Sequence, residues 1–162
     1  GIVEIDKVNK IININNFEEI DRVVIEGGRI KDWKIFFEGI ETKDINYKSD
    51  ENNLSGCINF NDVVFENISI FGRVFPCPDA VNFHNSIGKI DKLDLSFTNQ
   101  DAFDADFSNI TVTEIKIHNV GNDCIGMKTG NFIFELITLS GCQDKAVSAG
   151  DMASIKISEI FI

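Results

Sequence analysis

Asp79-Ala80-Val81-Asn82-Phe83 begins a series of four similar motifs that decides the fold of this chain. The other three follow at intervals of 22 residues: Asp101-Ala102-Phe103-Asp104-Ala105, Asp123-Cys124-Ile125-Gly126-Met127 and Lys145-Ala146-Val147-Ser148-Ala149. Each motif consists of a charged, a small, an apolar, a small or polar, and a further apolar residue. A repeat of this length is too short for a pair of helices, but it fits one turn of a β-solenoid, in which equivalent residues stack into columns. We therefore predict an all-β solenoid.

The repeat divides most of the chain into coils. Regular coils are predicted over 58–162, as 58–79, 80–101, 102–123 and 124–145 with a partial coil from 146 onward. Each also carries a segment in which apolar residues alternate, such as Leu93, Leu95 and Phe97, and a period of two marks a strand with one buried face. Because these strands recur in the same direction, they are expected to pair in parallel. We predict a single domain over 1–162, either complete or as a section of a longer solenoid.

The first part of the chain repeats less regularly. Residues 21–28 and 33–37 are interpreted as strands of earlier coils, and the polar run 43–55 as a protruding loop. Asn16 and Glu19 have the spacing of a helix cap, but residues 12–15 alternate as a strand does, so little or no helix is predicted.

Composition and charge restrict the partners. The formal net charge is -11 and the isoelectric point is near 4.5. Nucleic acid is not expected, because phosphate binding needs a basic footprint. No apolar run approaches the roughly 18 residues of a membrane span, so membrane insertion is not expected either. Neutral sugars, cations and basic partners stay open. The apolar strand at 158–162 would expose an open edge, so we expect an end-capping partner or further coils there.

The four cysteines lack the spacing of a metal site. They are Cys57, Cys77, Cys124 and Cys142, with only His84 and His118 as other soft ligands. Zinc is therefore poorly supported, and the two histidines are interpreted as surface residues. Cys124 falls in a column of alanines and is interpreted as a small core residue. Disulfides stay open, because stacked coils bring distant residues close.

One outer face of the predicted coils is acidic. Alternate residues of a strand face opposite sides, so the column that contains Asn82 and Asp104 points outward. Charged residues at the strand entrances and just beyond them extend this face: Asp79, Asp101, Asp123 and Lys145, then His84, Asp106 and Lys128. Stacked carboxylates about 5 Å apart repel one another, which suggests a shared proton, a bound cation or simple solvation.

Two alternatives to a catalytic role remain for these acids. Asp79 and Asp123 can bond the backbone of their own turns, as aspartates often do in loops. Calcium is the second, because a hard cation takes several oxygen ligands. The chain has no Asp-x-Asp-x-Asp-Gly loop, however, and we predict no cofactor, with calcium as the open alternative.

Two segments of this face resemble motifs of the polygalacturonases, which form glycoside hydrolase family 28. Asn99-Gln100-Asp101-Ala102-Phe103-Asp104 resembles the family's Asn-Thr-Asp-Gly-Ile-Asp. Residues 121–130, Gly-Asn-Asp-Cys-Ile-Gly-Met-Lys-Thr-Gly, resemble Gly-Asp-Asp-Cys-Ile-Ala-Ile-Lys-Ser-Gly. One coil separates the two motifs, as in the family. The resemblance implies a right-handed parallel β-helix of the pectin-lyase-like superfamily, with coils of about 22 residues and a substrate across the outer face.

The resemblance also implies roles for individual residues. In the family three aspartates act as general acid and as activators of water, and the reaction inverts the anomeric centre. Asp101 and Asp123 match two of them, whereas the third position is Asn122, whose amide cannot donate the proton. Asp104 or Asp106 would then replace the missing acid. The catalytic candidates are Asp101, Asp104 and Asp123, and the substrate-binding candidates are Asn82, His84, Asp106, Asn122, Lys128 and Lys145.

Two further family motifs differ here. The Gly-His-Gly motif corresponds to Asp144-Lys145-Ala146, so its histidine is missing, and the family's Arg-Ile-Lys substrate-binding motif, which follows it, would fall beyond Ile162 or is absent. In this reading Lys128 or Lys145 holds an anionic sugar. Residues 101–107 and 144–150 look more like uncharacterised bacterial β-helix repeat proteins.

We therefore expect a carbohydrate-active β-helix module that binds or hydrolyses a polysaccharide or oligosaccharide along the acidic face. Its expected location is extracellular or at the cell surface. The alternative is a non-catalytic structural or adhesive solenoid segment, with or without a bound cation. The sequence leaves open whether the chain is an enzyme.

Overall fold

A computed structural model describes residues 1–18, 21–41 and 54–162. These residues form thirteen β-strands and no helix, which confirms the all-β class. The strands are β1 Ile2–Asp6, β2 Ile11–Phe17, β3 Val23–Glu26, β4 Arg29–Lys31, β5 Lys34–Gly39, β6 Gly56–Asn61, β7 Val64–Phe75, β8 Asp79–His84, β9 Ile87–Thr98, β10 Phe103–Asp106, β11 Ser108–Val120, β12 Ile125–Cys142 and β13 Val147–Phe161. The loop predicted over 43–55 lies outside the described residues except for its last two, and so does Glu19.

The strands stack as a β-solenoid of about six turns, with coils about 23 residues apart. In the first ladder β3, β6, β8, β10, β12 and β13 pair in parallel. Phe103 pairs with Val81 of the preceding coil and with Ile125 of the following one. This register stacks the equivalent residues of successive coils, which confirms the predicted columns. It also lets the backbone N–H and C=O groups of each coil pair with those of the coils on either side.

A second ladder runs along the later part of each coil. It contains β2, β5, β7, β9, β11, β12 and β13, again in parallel. Leu93 pairs with Ile115, and Ile115 with Ile137, as the alternating segments predict. Ile137 then pairs with Ile160 after a shift of register between Met127 and Thr129. The strands predicted at 21–28 and 33–37 are confirmed as β3 and β5, and residues 11–17 form β2 rather than a helix.

The first strand departs from this stacking. β1 pairs with β2 in an antiparallel manner, with Ile5 opposite Ile12. Every residue of β1 is exposed, so this strand lies at the edge of the sheet and adds nothing to the core. The described part of the chain contains no helix with the length and apolarity of a membrane span.

The core is a column of aromatic and aliphatic side chains. The rings of Phe60 and Phe83 stack with centroids 4.8 Å apart, and Phe103 follows 5.2 Å from Phe83. All three are fully buried. Phe60 and Phe83 are equivalent residues of neighbouring coils, so their separation matches the strand spacing of about 4.8 Å, whereas Phe103 pairs with Val81 and lies in the adjacent column. These buried rings lie on the inner side of the strands whose outer side carries the acidic face.

Two disulfides close individual coils. Cys57 is bonded to Cys77 and Cys124 to Cys142, with Cα atoms 5.3 Å and 5.4 Å apart. The partners are 20 and 18 residues apart, so each bridge spans nearly one coil rather than joining neighbouring coils. Cys124 is fully buried, as expected of a residue in the alanine column. The disulfide alternative that the sequence left open is therefore confirmed.

Removing the second bridge should lower the stability of the solenoid. Cys124→Ala combined with Cys142→Ala is expected to lower the free energy of unfolding by about 2–4 kcal/mol, because the unfolded chain loses a closed loop. Alanine already occupies the column at positions 80, 102 and 146, so it fits without strain. Urea unfolding measures the difference, with Cys57→Ala and Cys77→Ala as the matched pair. A change below about 0.5 kcal/mol for both pairs would contradict the assigned bridges.

Candidate functional site

A cleft of about 550 Å³ lies on the outer side of the first ladder. Its volume falls in the range of sites that bind small molecules. Seven of the nine candidate residues line it: Asn82, His84, Asp101, Asp104, Asp106, Asp123 and Lys128. The fold thus brings together side chains from several coils, because each coil contributes the same outward positions. Asn122 and Lys145 do not line the cleft.

Three aspartates form a ladder of hydrogen bonds from coil to coil. Asp79 Oδ1 accepts from the backbone N–H of Asp101 at 3.2 Å, and Asp101 Oδ1 accepts from that of Asp123 at 3.1 Å. Asp123 Oδ1 accepts from the N–H of Lys145 at 2.9 Å. The expectation that Asp79 and Asp123 bond their own turns is wrong in this respect, because each of them bonds the following coil. A carboxylate at this position satisfies a backbone donor, which explains why aspartate recurs there.

The carboxylate of Asp101 is fixed on one side and open on the other. Besides the N–H of Asp123, its Oδ1 accepts a hydrogen bond from Asn122 Nδ2 at 2.8 Å. Its Oδ2 accepts none from the part of the chain that the structure describes, and this oxygen faces the cleft above Gly126. Asn122 therefore orients Asp101 rather than contacting the cleft itself.

Gly126 provides the space in which two carboxylates meet. A Cβ at this position would lie 3.1 Å from Asp101 Oδ2 and 3.4 Å from Asp104 Oδ1. The two oxygens are therefore no farther apart than the sum of these distances. Sequence reasoning did not single out Gly126; the available signal was a glycine in a column that elsewhere carries Asn82, Asp104 and Ser148.

Among the described acids of the cleft, Asp104 has the most strongly shifted pKa. Its side chain is only 8% exposed, and its Oδ2 accepts a hydrogen bond from Asn82 Nδ2 at 3.0 Å. Burial raises the pKa of the Asp104 carboxyl to about 6, with Lys128 opposing the shift and Asp79 adding to it. A carboxyl with this pKa is partly protonated near neutral pH, so it can donate a proton.

Two neighbouring carboxyls shift in the same direction. Burial raises the pKa of Asp79, which is 7% exposed, and the Ser55 hydroxyl counteracts this by hydrogen bonding. Burial also raises the pKa of Asp101, against the hydrogen bonds from Asn122 and from the N–H of Asp123. These two donors favour the ionised form, so within the facing pair Asp101 is the better base and Asp104 the better acid.

The remaining candidates lie at the rim. The exposed ring of His84 packs edge-on against Phe107, with centroids 5.6 Å apart, in agreement with its interpretation as a surface residue. Asp106 Oδ1 accepts the N–H of Phe107 at 2.9 Å. Lys128 is exposed, and its positive charge opposes the rise in the pKa values of Asp79, Asp101 and Asp104.

Lys145 pairs with one acid that lines the cleft, Asp123, and with one that does not, Asp144. Its Nζ lies 3.6 Å from Asp123 Oδ1 and pairs closely with the Asp144 carboxylate. Within residues 1–18, 21–41 and 54–162, no group of three or more His, Cys, Asp and Glu side chains is arranged to hold a metal ion. The cofactor prediction, none with calcium as the alternative, stays a prediction.

No family model, curated protein or solved structure matches the chain significantly. The β-solenoid is established by the strand pairing itself. Membership of the pectin-lyase-like superfamily or of glycoside hydrolase family 28 is not shown.

The raised pKa of Asp104 predicts a pH-dependent gain in stability for Asp104→Asn. The folded protein holds this proton more tightly than the unfolded chain, whose carboxyl has the ordinary value of 3.8. The stability of the wild type therefore falls as the pH rises from about 4 through about 6, and the amide removes this loss. We expect the variant to be more stable by about 1–3 kcal/mol at about pH 8 and by little at about pH 4.

Urea unfolding at both pH values measures the effect. Asp91→Asn is the matched control, because it changes the same charge on β9, outside the cleft. An equal change in unfolding free energy at the two pH values would contradict the shift.

Proposed function

We propose that this chain is a carbohydrate-active β-helix module that hydrolyses a glycosidic bond in the cleft. The observation that carries the proposal is the convergence of Asp101 Oδ2 and Asp104 Oδ1 over Gly126. Glycoside hydrolysis uses one protonated and one ionised carboxyl, and the different environments of Asp104 and Asp101 favour these two states. The partial motif resemblance to the polygalacturonases, within the pectin-lyase-like superfamily, agrees with this proposal.

Asp104 is the proposed general acid. Its carboxyl, with a pKa of about 6, donates its proton to the glycosidic oxygen as the bond to the leaving sugar breaks. This assigns to Asp104, rather than to Asp106, the role that Asn122 cannot fill. Asn82 holds the other oxygen of the carboxyl and so aims the proton at the cleft.

Asp101 is the proposed base. Its Oδ2 takes a proton from the water that attacks the anomeric carbon, while Asn122 and the N–H of Asp123 hold Oδ1 in place. The proton that Asp101 gains balances the proton that Asp104 loses. The Asp123 carboxylate, one coil further, adds negative charge beside the positive charge that develops on the sugar ring in the transition state.

The two disulfides support the proposed location. Such bridges persist in oxidising compartments, which agrees with an extracellular or cell-surface protein.

The competing proposal is a structural solenoid segment without catalysis. The ladder from Asp79 through Asp101 to Asp123 favours it, because the three Oδ1 bonds to the next coil explain these aspartates without any substrate. The ladder does not explain Asp104, whose carboxylate bonds no backbone donor in the described chain and bears the cost of burial.

Measuring reducing ends released from a panel of polysaccharides tests hydrolysis. The panel contains neutral, uronic-acid and amino-sugar polymers. We expect product with at least one polymer, and a loss of at least about 100-fold in rate for Asp104→Asn and for Asp101→Asn, because each removes one proton-transfer group. Asp91→Asn is expected to keep the wild-type rate.

Two outcomes would reject the hydrolase proposal. One is the absence of product with every polymer, and the other is full activity of Asp101→Asn or Asp104→Asn. In either case the structural segment becomes the better account, and Asp104→Asn should then only stabilise the fold.

A further inference from the structure

Phe107 lies at a corner of its coil in a conformation and an environment that do not favour phenylalanine. It separates β10 from β11, its φ is 51°, and its side chain is 54% exposed. The left-handed region is unfavourable for a bulky residue, whereas Asn and Asp tolerate it. An exposed ring also gains little from burial in the core. Neither the backbone nor the core therefore explains a phenylalanine at this position.

The equivalent corners of the two preceding coils carry residues that suit this conformation. Asp62 and Asn85 have φ values of 54° and 47°, and they occupy the same position because the strands before each corner pair in register. Their side chains are hydrogen-bonded to each other. The corner is thus polar in these two coils and aromatic in the coil that carries Asp101 and Asp104.

The Phe107 ring adjoins the cleft through two residues that line it, His84 and Asp106. The His84 ring packs edge-on against that of Phe107, with centroids 5.6 Å apart, and Asp106 Oδ1 accepts the backbone N–H of Phe107. Phe107 follows Asp104 by three residues, so their Cα atoms are at most about 11 Å apart. A glycan whose scissile bond lies at Asp104 therefore reaches the ring with a neighbouring sugar unit.

The exposed part of this ring suits one face of a sugar. A pyranose presents C–H groups on one face, and the electron-rich face of an aromatic ring attracts such hydrogens while both surfaces leave water. The contact with His84 restricts the ring before a ligand arrives, which reduces the entropy lost on binding. The polar groups of His84 and Asp106 beside the ring can pair with sugar hydroxyls, as in ligand sites that combine aromatic and polar residues.

We infer that Phe107 is a substrate-binding residue that stacks against a sugar ring at the edge of the cleft. The inference rests on the proposed function, because it adds a subsite to the same cleft. The ligand class is a glycan of two or more rings, one of which presents a face of C–H groups to Phe107.

Affinity electrophoresis in native gels tests this inference. The gels contain a soluble β-glucan, a galactan, polygalacturonate or glycol chitosan, and retardation relative to a gel without polymer gives the apparent dissociation constant. We expect at least one polymer to retard the wild type. Phe107→Asn is expected to raise that dissociation constant about fivefold or more, because the stacked face is lost. The substitution keeps the net charge, so the mobility without polymer stays unchanged.

Two further variants separate stacking from structure. Phe97→Asn is the matched control, because Phe97 is 56% exposed with a φ of 57° and lies outside the cleft, and this variant is expected to be retarded like the wild type. Phe107→Trp keeps an aromatic face and is expected to bind at least as tightly as the wild type. Phe107→Asn should unfold at the same urea concentration as the wild type or at a higher one, because Asn85 adopts the same conformation.

The outcomes distinguish failure of the inference from failure of the proposed function. Unchanged retardation of Phe107→Asn, or equal weakening by Phe97→Asn, overturns the stacking subsite, and the release of reducing ends still decides hydrolysis. Weaker binding of Phe107→Asn together with a lower urea midpoint also overturns it, because the ring would then be structural. Retardation that depends on Phe107 without product from any polymer supports the subsite and rejects hydrolysis. Lack of retardation by every polymer overturns the inference, and the absence of product as well rejects both.

Discussion

The parallel backbone pairing between successive coils is the constraint on which the rest of this structure depends. Each coil satisfies its N–H and C=O groups with its neighbours only if the register is kept, and the observed register places Val81, Phe103 and Ile125 in one column. A side chain in one coil therefore meets its equivalents at the strand spacing of about 4.8 Å. Equivalent side chains that would repel or clash at that spacing need contacts that make their stacking favourable. The phenylalanine stack provides such contacts inside the solenoid, and the aspartate ladder provides them outside.

The ladder and the cleft use the same carboxylates for different purposes. One oxygen of Asp101 holds the next coil through the N–H of Asp123, whereas the other points into the cleft. Asp104 has no such backbone bond, and it is buried at a cost that its raised pKa expresses. Gly126 has no side chain, which leaves space between the carboxylates of Asp101 and Asp104. Features that reduce stability are common where a protein binds or reacts. The buried Asp104 carboxyl and the space left at Gly126 are two such features in one cleft.

The sequence was sufficient for the fold because a period of 22 residues leaves few other structures open. It correctly placed the columns and the strands β3 and β5. It also brought Asp101, Asp104 and Asp123 together, since periodicity determines proximity. It did not indicate the depth of burial or the side-chain direction, so the convergence over Gly126 and the bonds to the following coil were missed. The antiparallel β1 has no counterpart in the repeat, and pairing of four cysteines needs coordinates.

A direct titration of the aspartate carboxyls by carbon-13 NMR tests the central claim, that Asp104 is a buried proton donor facing Asp101. Asp104→Asn identifies its resonance by the loss of one signal. The account predicts that this carboxyl titrates with a midpoint of about 6, well above the ordinary aspartate value of about 3.9. A midpoint for Asp104 at that ordinary value would contradict the account, because a carboxyl that is fully ionised at neutral pH cannot serve as the acid of this cleft.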